Sequence, residues 1–167
     1  EGGIINTGYD NWKKALEHVE DTGMKVLVEN TAGGKNSVAR YMDSIERLWE
    51  VIGHLNVGLC LDTCHTWAGG IPTIDAVKGF KKLVKKIDLI HFNDSKDGFE
   101  SSRDRHENLG KGKIPKEELE YVIKNAKTDI IVETPNGPDA QKKDIAWIRR
   151  SLKKLTIYQK TLGLTRE

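Results

Sequence analysis

The chain has 167 residues, 37% apolar and 31% charged, with 27 Lys and Arg against 25 Asp and Glu for a net charge of +2. That length suits one domain, 1–167, with its own core, and 16 Gly, 4 Pro and no low-complexity stretch exclude a collagen, a coiled-coil rod and a disordered tail. No apolar run approaches the ~18–20 residues of a membrane span, and no basic start followed by an apolar stretch marks a signal peptide. The near-neutral charge predicts no polyanion partner by itself, although a local patch can bind one without a basic total. Two cysteines, Cys60 and Cys64, make no disulfide framework, so a reducing, cytoplasmic compartment is expected.

Trp12, Ala15, Leu16 and Val19 follow the i, i+3, i+4, i+7 spacing of a helix. An apolar run over 25–29 predicts the first strand. Met42, Ile45, Leu48, Trp49 and Ile52 mark a second helix, and 57–62 a second strand. Ile74, Val77, Phe80 and Val84 form the third stripe, ahead of a strand at 88–93. Leu119, Val122, Ile123 and Ala126, with Pro115 near the first turn, predict a helix before the strand at 129–133. A last helix carries Ile145, Ile148, Leu152 and Leu155. The strands are near-continuously apolar, which predicts burial on both faces in a parallel sheet. Strict alternation of helix and strand gives right-handed crossovers, and either an open doubly wound sheet or part of a (β/α)8 barrel. No G-x-G-x-x-G follows a strand, and four strands are half of a barrel that typically takes ~250 residues.

Each strand ends in, or near, a metal-capable side chain: Glu29, Asp62, His91 and Glu133. In a parallel barrel these converge on one mouth, where three carboxylates and an imidazole repel one another unless a cation neutralises them. An oxygen and nitrogen shell of this kind suits Zn²⁺ or Mn²⁺. One such residue alone is an ordinary helix cap or core side chain; one on each of four strands is a pattern. His65 follows Asp62 by three, and Asp104 and His106 lie two apart in a polar loop, where an extended backbone points both to one side. Together these three make a second site with open positions, unless the Arg-Asp-Arg-His stretch is a solvated charge cluster. Cys60 reads as core, and the Cys60–Cys64 spacing is a weak metal motif.

These segments resemble the endonuclease IV family of apurinic/apyrimidinic endonucleases. The resemblance rests on Val28-Glu29-Asn30-Thr31-Ala32-Gly33, the run from Cys60 to His65, the run from His91 to Lys96, the run from Asp104 to Gly112, and Val132-Glu133-Thr134-Pro135. It implies the C-terminal portion of a xylose-isomerase-like (β/α)8 barrel with three zinc ions. Glu29 then resembles a carboxylate bridging two of them. Asp62, His91 and Glu133 resemble the other ligands of the second, and His65, Asp104 and His106 those of the third. The family's first zinc also uses two histidines from earlier strands, and its DNA-intercalating loop lies there too. His18 and His54 fall in helix and helix-end patterns, and Gly2-Gly3 resembles the stretch just past the second of those histidines, so this chain is expected to begin after them.

The implied reaction cuts double-stranded DNA 5′ to an abasic site, leaving a 3′-hydroxyl and a 5′-deoxyribose phosphate, with Glu29 and Glu133 as the catalytic carboxylates. Phosphate contacts are expected from Lys35, Asn36, Lys96, Arg103, Arg105, Lys111 and Lys113, and Trp67 either stacks in the lesion pocket or packs. The basic face of the last helix, from Lys142 onward, reads as solvated, with DNA contact there the lesser alternative. The resemblance further implies an intracellular, nucleoid-associated monomer. One alternative is a single-metal sugar isomerase or epimerase, which shares the four strand-end ligands but has no need of Asp104 and His106. The other is a non-catalytic fragment.

Overall fold

The computed structural model describes residues 2–20 and 22–161, with side chains described over 6–19 and 22–154. The elements run α1 (Gly2–Glu20), β1 (Val26–Glu29), α2 (Met42–Ile52), β2 (Val57–Asp62), α3 (Thr63–Gly69), α4 (Thr73–Val84), β3 (Leu89–Phe92), β4 (Asp94–Ser95), β5 (His106–Glu107), α5 (Lys116–Asn125), β6 (Asp129–Val132) and α6 (Gly137–Thr161). The strands β1, β2, β3 and β6 form one parallel sheet in chain order, as the alternation of helices and strands predicts. Three pieces have no counterpart in the sequence pattern. The short α3 starts directly after Asp62, and β4 and β5 form an antiparallel pair that gives the 94–107 loop its shape.

Register explains how distant residues come level. Glu29 pairs with Cys60, Asp62 with His91, and Phe92 with Val132, so the metal-capable positions climb along the sheet from β1 to β6. Such a stagger is what a tilted barrel wall requires, and it brings strand ends to one height along the barrel axis. Glu29, Cys60, Asp62, His91 and Glu133 share one face of the pleat, because paired positions and positions two apart point the same way.

The opposite face packs against helices. Val28, Leu59, Leu61, Ile90 and Phe92 are buried there with Ile45, Val77, Phe80, Leu119 and Val122. Burial on both faces, expected from the apolar runs, holds only for β2. Four strands do not close on themselves, so the site-bearing face of the edge strands has no opposing wall. Ile131 on β6 is 48% exposed for that reason. The last helix also departs from expectation. Ile148 is buried, whereas Ile145 and Leu152 are both 41% exposed, and Leu155 lies outside the described side chains. The buried stripe of α6 instead runs through Asp144, Ile148 and Ser151. No described helix is long and apolar enough to cross a membrane.

Phe80, fully buried beneath the sheet, sets the stability of the helix layer. Phe80→Ala is expected to cost ~3–5 kcal/mol in denaturant unfolding.

Candidate metal centre

Beyond the strand ends, seven side chains meet. Asp62 closes β2 and at the same time caps α3, where its Oδ1 accepts from the His65 backbone N–H at 2.7 Å. The cap turns the chain so that His65 comes back over the sheet end, and Gly70 ends this helix in the left-handed conformation at φ 94°. The helix-cap and ligand readings of Asp62 are therefore compatible: its other oxygen, Oδ2, lies 3.8 Å from His106 Nε2. Antiparallel pairing of Ser95 with His106 folds the loop back, and the His106 ring enters the site from that side.

Two groupings result. His91 Nδ1 lies 3.3 Å from Glu29 Oε1 and 3.3 Å from Glu133 Oε2, and Asp62, His91 and Glu133 offer donor atoms within 4.8 Å of one another. Asp104 stands between two imidazoles, 3.0 Å from His65 Nε2 by one oxygen and 3.0 Å from His106 Nε2 by the other. Glu29 Oε1 joins the groupings, 3.1 Å from His65 Nδ1 and 3.3 Å from His91 Nδ1. Asp104 and His106, two apart in the chain, thus both face the His65 ring.

The residues fit a bound divalent ion. The His91 Nδ1 is buried with no hydrogen-bond partner, although two carboxylates flank it. Zinc bonds of ~2.1 Å place two donors of one ion roughly 3.4 Å apart, close to the spacings seen here. Backbone carbonyls fix the rings. Asn30 O accepts from His65 Nδ1 at 2.8 Å and Glu133 O from His106 Nδ1 at 2.7 Å. A carbonyl only accepts, so each Nδ1 carries the hydrogen and each Nε2 is left for a ligand role.

Acidic groups are in excess here, and until a cation relieves them they hold a proton on His65. Burial opposes charge on His65, but the hydrogen bond to Glu29 and the Asp62 and Asp104 carboxylates outweigh it and raise the imidazole to about 10. Burial also opposes charge on Glu29, where His65 and His91 win and hold it below the usual carboxylate range. Asp62 is pushed up by burial, against the pull of His65 and Asn93. Cys60 stands within ligand distance of Glu29 and His91, and Cys64 of Asp104 and His106, while burial raises the two thiols to about 12 and about 11.

Four residues that the sequence reading passed over hold this arrangement. Asn30 accepts from Asp62 N–H and donates to Asp62 O. Asn93 donates to Asp62 Oδ2 at 2.8 Å and accepts from Cys64 N–H at 2.8 Å. Asp94, wholly buried, accepts from the backbone N–H groups of Ser95, Gly110, Gly112 and Ile114. A Cβ on Gly112 would collide with Asp94 and with Ser95 O, so only glycine lets the loop come this close. Asp144 accepts from Leu109 N–H, Asn108 and Thr134, tying α6 to both flanks of the site. Asn30 and Asn93 directly follow strand ends and Asp94 comes next after Asn93, which is a usable signal; Asp144 sits mid-helix and carries none.

The proposed DNA contacts do not form one patch. Lys35 and Asn36 line a cavity with Arg47 and Tyr9. Arg105 makes a bidentate pair with Asp97, and Arg103 lies 3.7 Å from the same carboxylate. Lys96 and Lys113 contribute backbone N–H groups to the loop, and Lys111 lines a separate cavity. Trp67 packs: its indole donates to Asp97 O at 3.1 Å and its ring meets Phe99 edge-on at 5.0 Å. Of its two expected uses, this geometry is the packing one. His18 and His54 are exposed, outside the cluster.

A parallel sheet with a metal-capable ring at its strand ends defines a class, the metal-site barrels. The chain belongs to the xylose isomerase-like TIM barrel family, which it matches over residues 3–151. Within it the similarity runs to endonuclease IV. "Probable endonuclease 4" of Mycobacterium bovis is 48% identical over 145 residues, covering 87% of this chain and 56% of the relative. That of Mycobacterium ulcerans is 45% identical over 148 residues, covering 89% and 58%. The crystal structure of endonuclease IV from Thermus thermophilus superposes with a TM-score of 0.72 at 29% identity, covering 87% of this chain and 58% of that one. A xylose isomerase domain protein from Alicyclobacillus acidocaldarius shares the fold, with a TM-score of 0.53 at 22% identity over 86% of this chain and 54% of that one. The chain therefore spans somewhat over half the length of the curated relatives it matches.

Asp94→Ala strands three loop N–H groups and is expected to destabilise the fold by ~1–3 kcal/mol in denaturant unfolding. Elemental analysis of the same variant is expected to show reduced metal content, because the loop bearing Asp104 and His106 loses its anchor.

Proposed function

We propose that the chain carries much of the active site of a zinc-dependent endonuclease that cuts double-stranded DNA 5′ to an abasic site, leaving a 3′-hydroxyl and a 5′-deoxyribose phosphate. The observation that carries this reading is Asp104 set between His65 and His106 at 3.0 Å on each side. It is a second ion position beyond the strand-end ring, and a one-metal sugar isomerase has no use for it. Similarity to endonuclease IV over 87% of the chain supports the same choice.

Bound ions supply a water acidified towards a pKa of ~7 and neutralise charge on the phosphoryl oxygens. Manganese is the alternative ion for the same donors. Glu29 and Glu133, on either side of His91, orient the attacking water and take its proton at a carboxylate oxygen. Water adds to phosphorus as the bond to the 3′ oxygen breaks, and that oxygen departs beside His65, Asp104 and His106. Asn93 keeps Asp62 pointed at both groupings. The two further histidines that the family resemblance implies have no counterpart in this cluster among the described residues. We assign residues 1–167 to one domain, the C-terminal portion of the barrel, in an intracellular, nucleoid-associated monomer.

Incision of a duplex with one synthetic abasic site tests this, using the chain alone and the chain extended at its N-terminus. The extended form is expected to cut, and a chelator to abolish cutting. Glu133→Gln is expected to slow incision ~10²–10⁴-fold. A metal count near one per assembled site would instead favour the sugar isomerase, and a chain that neither binds metal nor cuts in either form would be the non-catalytic fragment.

A further inference from the structure

A cavity of about 430 Å³ opens between α6 and the loop at 108–111, beside the metal centre. Lys111, Lys143 and Arg150 bring three positive charges to it, against the single carboxylate of Asp144. That carboxylate is already occupied. Its Oδ1 accepts from Leu109 N–H, and its Oδ2 from the Asn108 amide and the Thr134 hydroxyl. None of the three cationic groups has an ion-pair partner among the described residues, unlike Arg103 and Arg105 on Asp97. Trp147 lines the same cavity, and its indole N–H has no acceptor among the described residues. Lys143, Trp147 and Arg150 follow i, i+4, i+7 on α6, so they form one stripe.

Three like charges around a concavity concentrate a positive potential there, which favours an anion. The floor of the cavity locates that anion. Asn136 donates to Asn108 Oδ1, and Asn108 donates to Pro135 O. This pair joins the segment two residues past His106 to the segment just past Glu133, so the floor of the cavity is continuous with both groupings of the metal centre. The volume suits a phosphate with its sugar rather than a bare ion.

We propose that this cavity is an anion subsite for a backbone phosphate of the DNA flanking the cleaved bond. Lys111, Lys143 and Arg150 pair with its oxygens and the Trp147 indole donates to it. The proposal rests on the nuclease reading and extends it to a contact outside the metal centre.

The test is equilibrium binding of the metal-loaded 167-residue chain to fluorescent duplexes, with and without a stable abasic analogue, over a range of salt. The Lys143→Gln/Arg150→Gln double variant is expected to flatten the slope of log affinity against log salt by about 1, one phosphate contact, with metal content and melting temperature unchanged. A Lys153→Gln/Lys154→Gln control, exposed on the same helix, is expected to keep the wild-type slope. An unchanged slope in the first variant, an equal loss in the control, or no binding to either duplex overturns the subsite. Competition by inorganic phosphate or a 5′-mononucleotide that is lost in the first variant, while its duplex binding is untouched, assigns the cavity to free phosphate esters and also overturns it. A flattened slope on both duplexes with no incision by the chain extended at its N-terminus supports the subsite and removes the nuclease reading; incision by that extended chain with an unchanged slope does the reverse.

Discussion

Four carboxylates and three imidazoles form overlapping groups at ligand distance beyond the strand ends, and the rest of this end of the molecule is arranged around that concentration of charge. Left to itself, such a cluster would spread into solvent, because carboxylates a few ångströms apart repel strongly in a partly buried setting. Two features stop it from spreading. The parallel sheet delivers Glu29, Asp62, His91 and Glu133 from four strands to one rim, and the loops are tied down by hydrogen bonds that use up their freedom.

Those ties run through buried polar side chains. Asn30 and Asn93 hold Asp62 from two sides, and Asp94 and Asp144 hold the loop that carries His106. Every one of these groups is nearly inaccessible to water and nearly fully hydrogen-bonded, the condition under which buried polar networks specify a geometry instead of weakening a fold. The imidazoles are oriented by the same means, with Nδ1 of His65 and His106 spent on backbone carbonyls. The site is thus pre-organised by its supports, which lowers the cost of ordering donors when an ion arrives.

Much of this is legible in the sequence for a simple reason. A parallel α/β wall puts strand C-termini on one side, so locating four apolar runs and reading their last residues is enough to assemble Glu29, Asp62, His91 and Glu133. The placement of Asp104 between His65 and His106 follows from period-two geometry in an extended segment. What escapes is non-local. Asp144 looks like any charged helix residue until α6 is docked and its carboxylate meets Leu109 and Thr134. The short α3 lacks the length for a periodic signal, and its start is set by one cap hydrogen bond. Apolar continuity in β1, β3 and β6 suggests two buried faces, whereas those strands bury only the helix side, because pattern records what a residue is and not whether a facing wall is present.

If these donors hold divalent ions in two adjoining positions, crystals of the chain grown with zinc and measured at the zinc absorption edge will show both. Anomalous peaks are expected at two positions, one among Asp62, His91, Glu133 and Glu29 and one among His65, Asp104 and His106. Peaks confined to other parts of the protein, or a single peak with Asp104 turned away from both histidines, would contradict this arrangement.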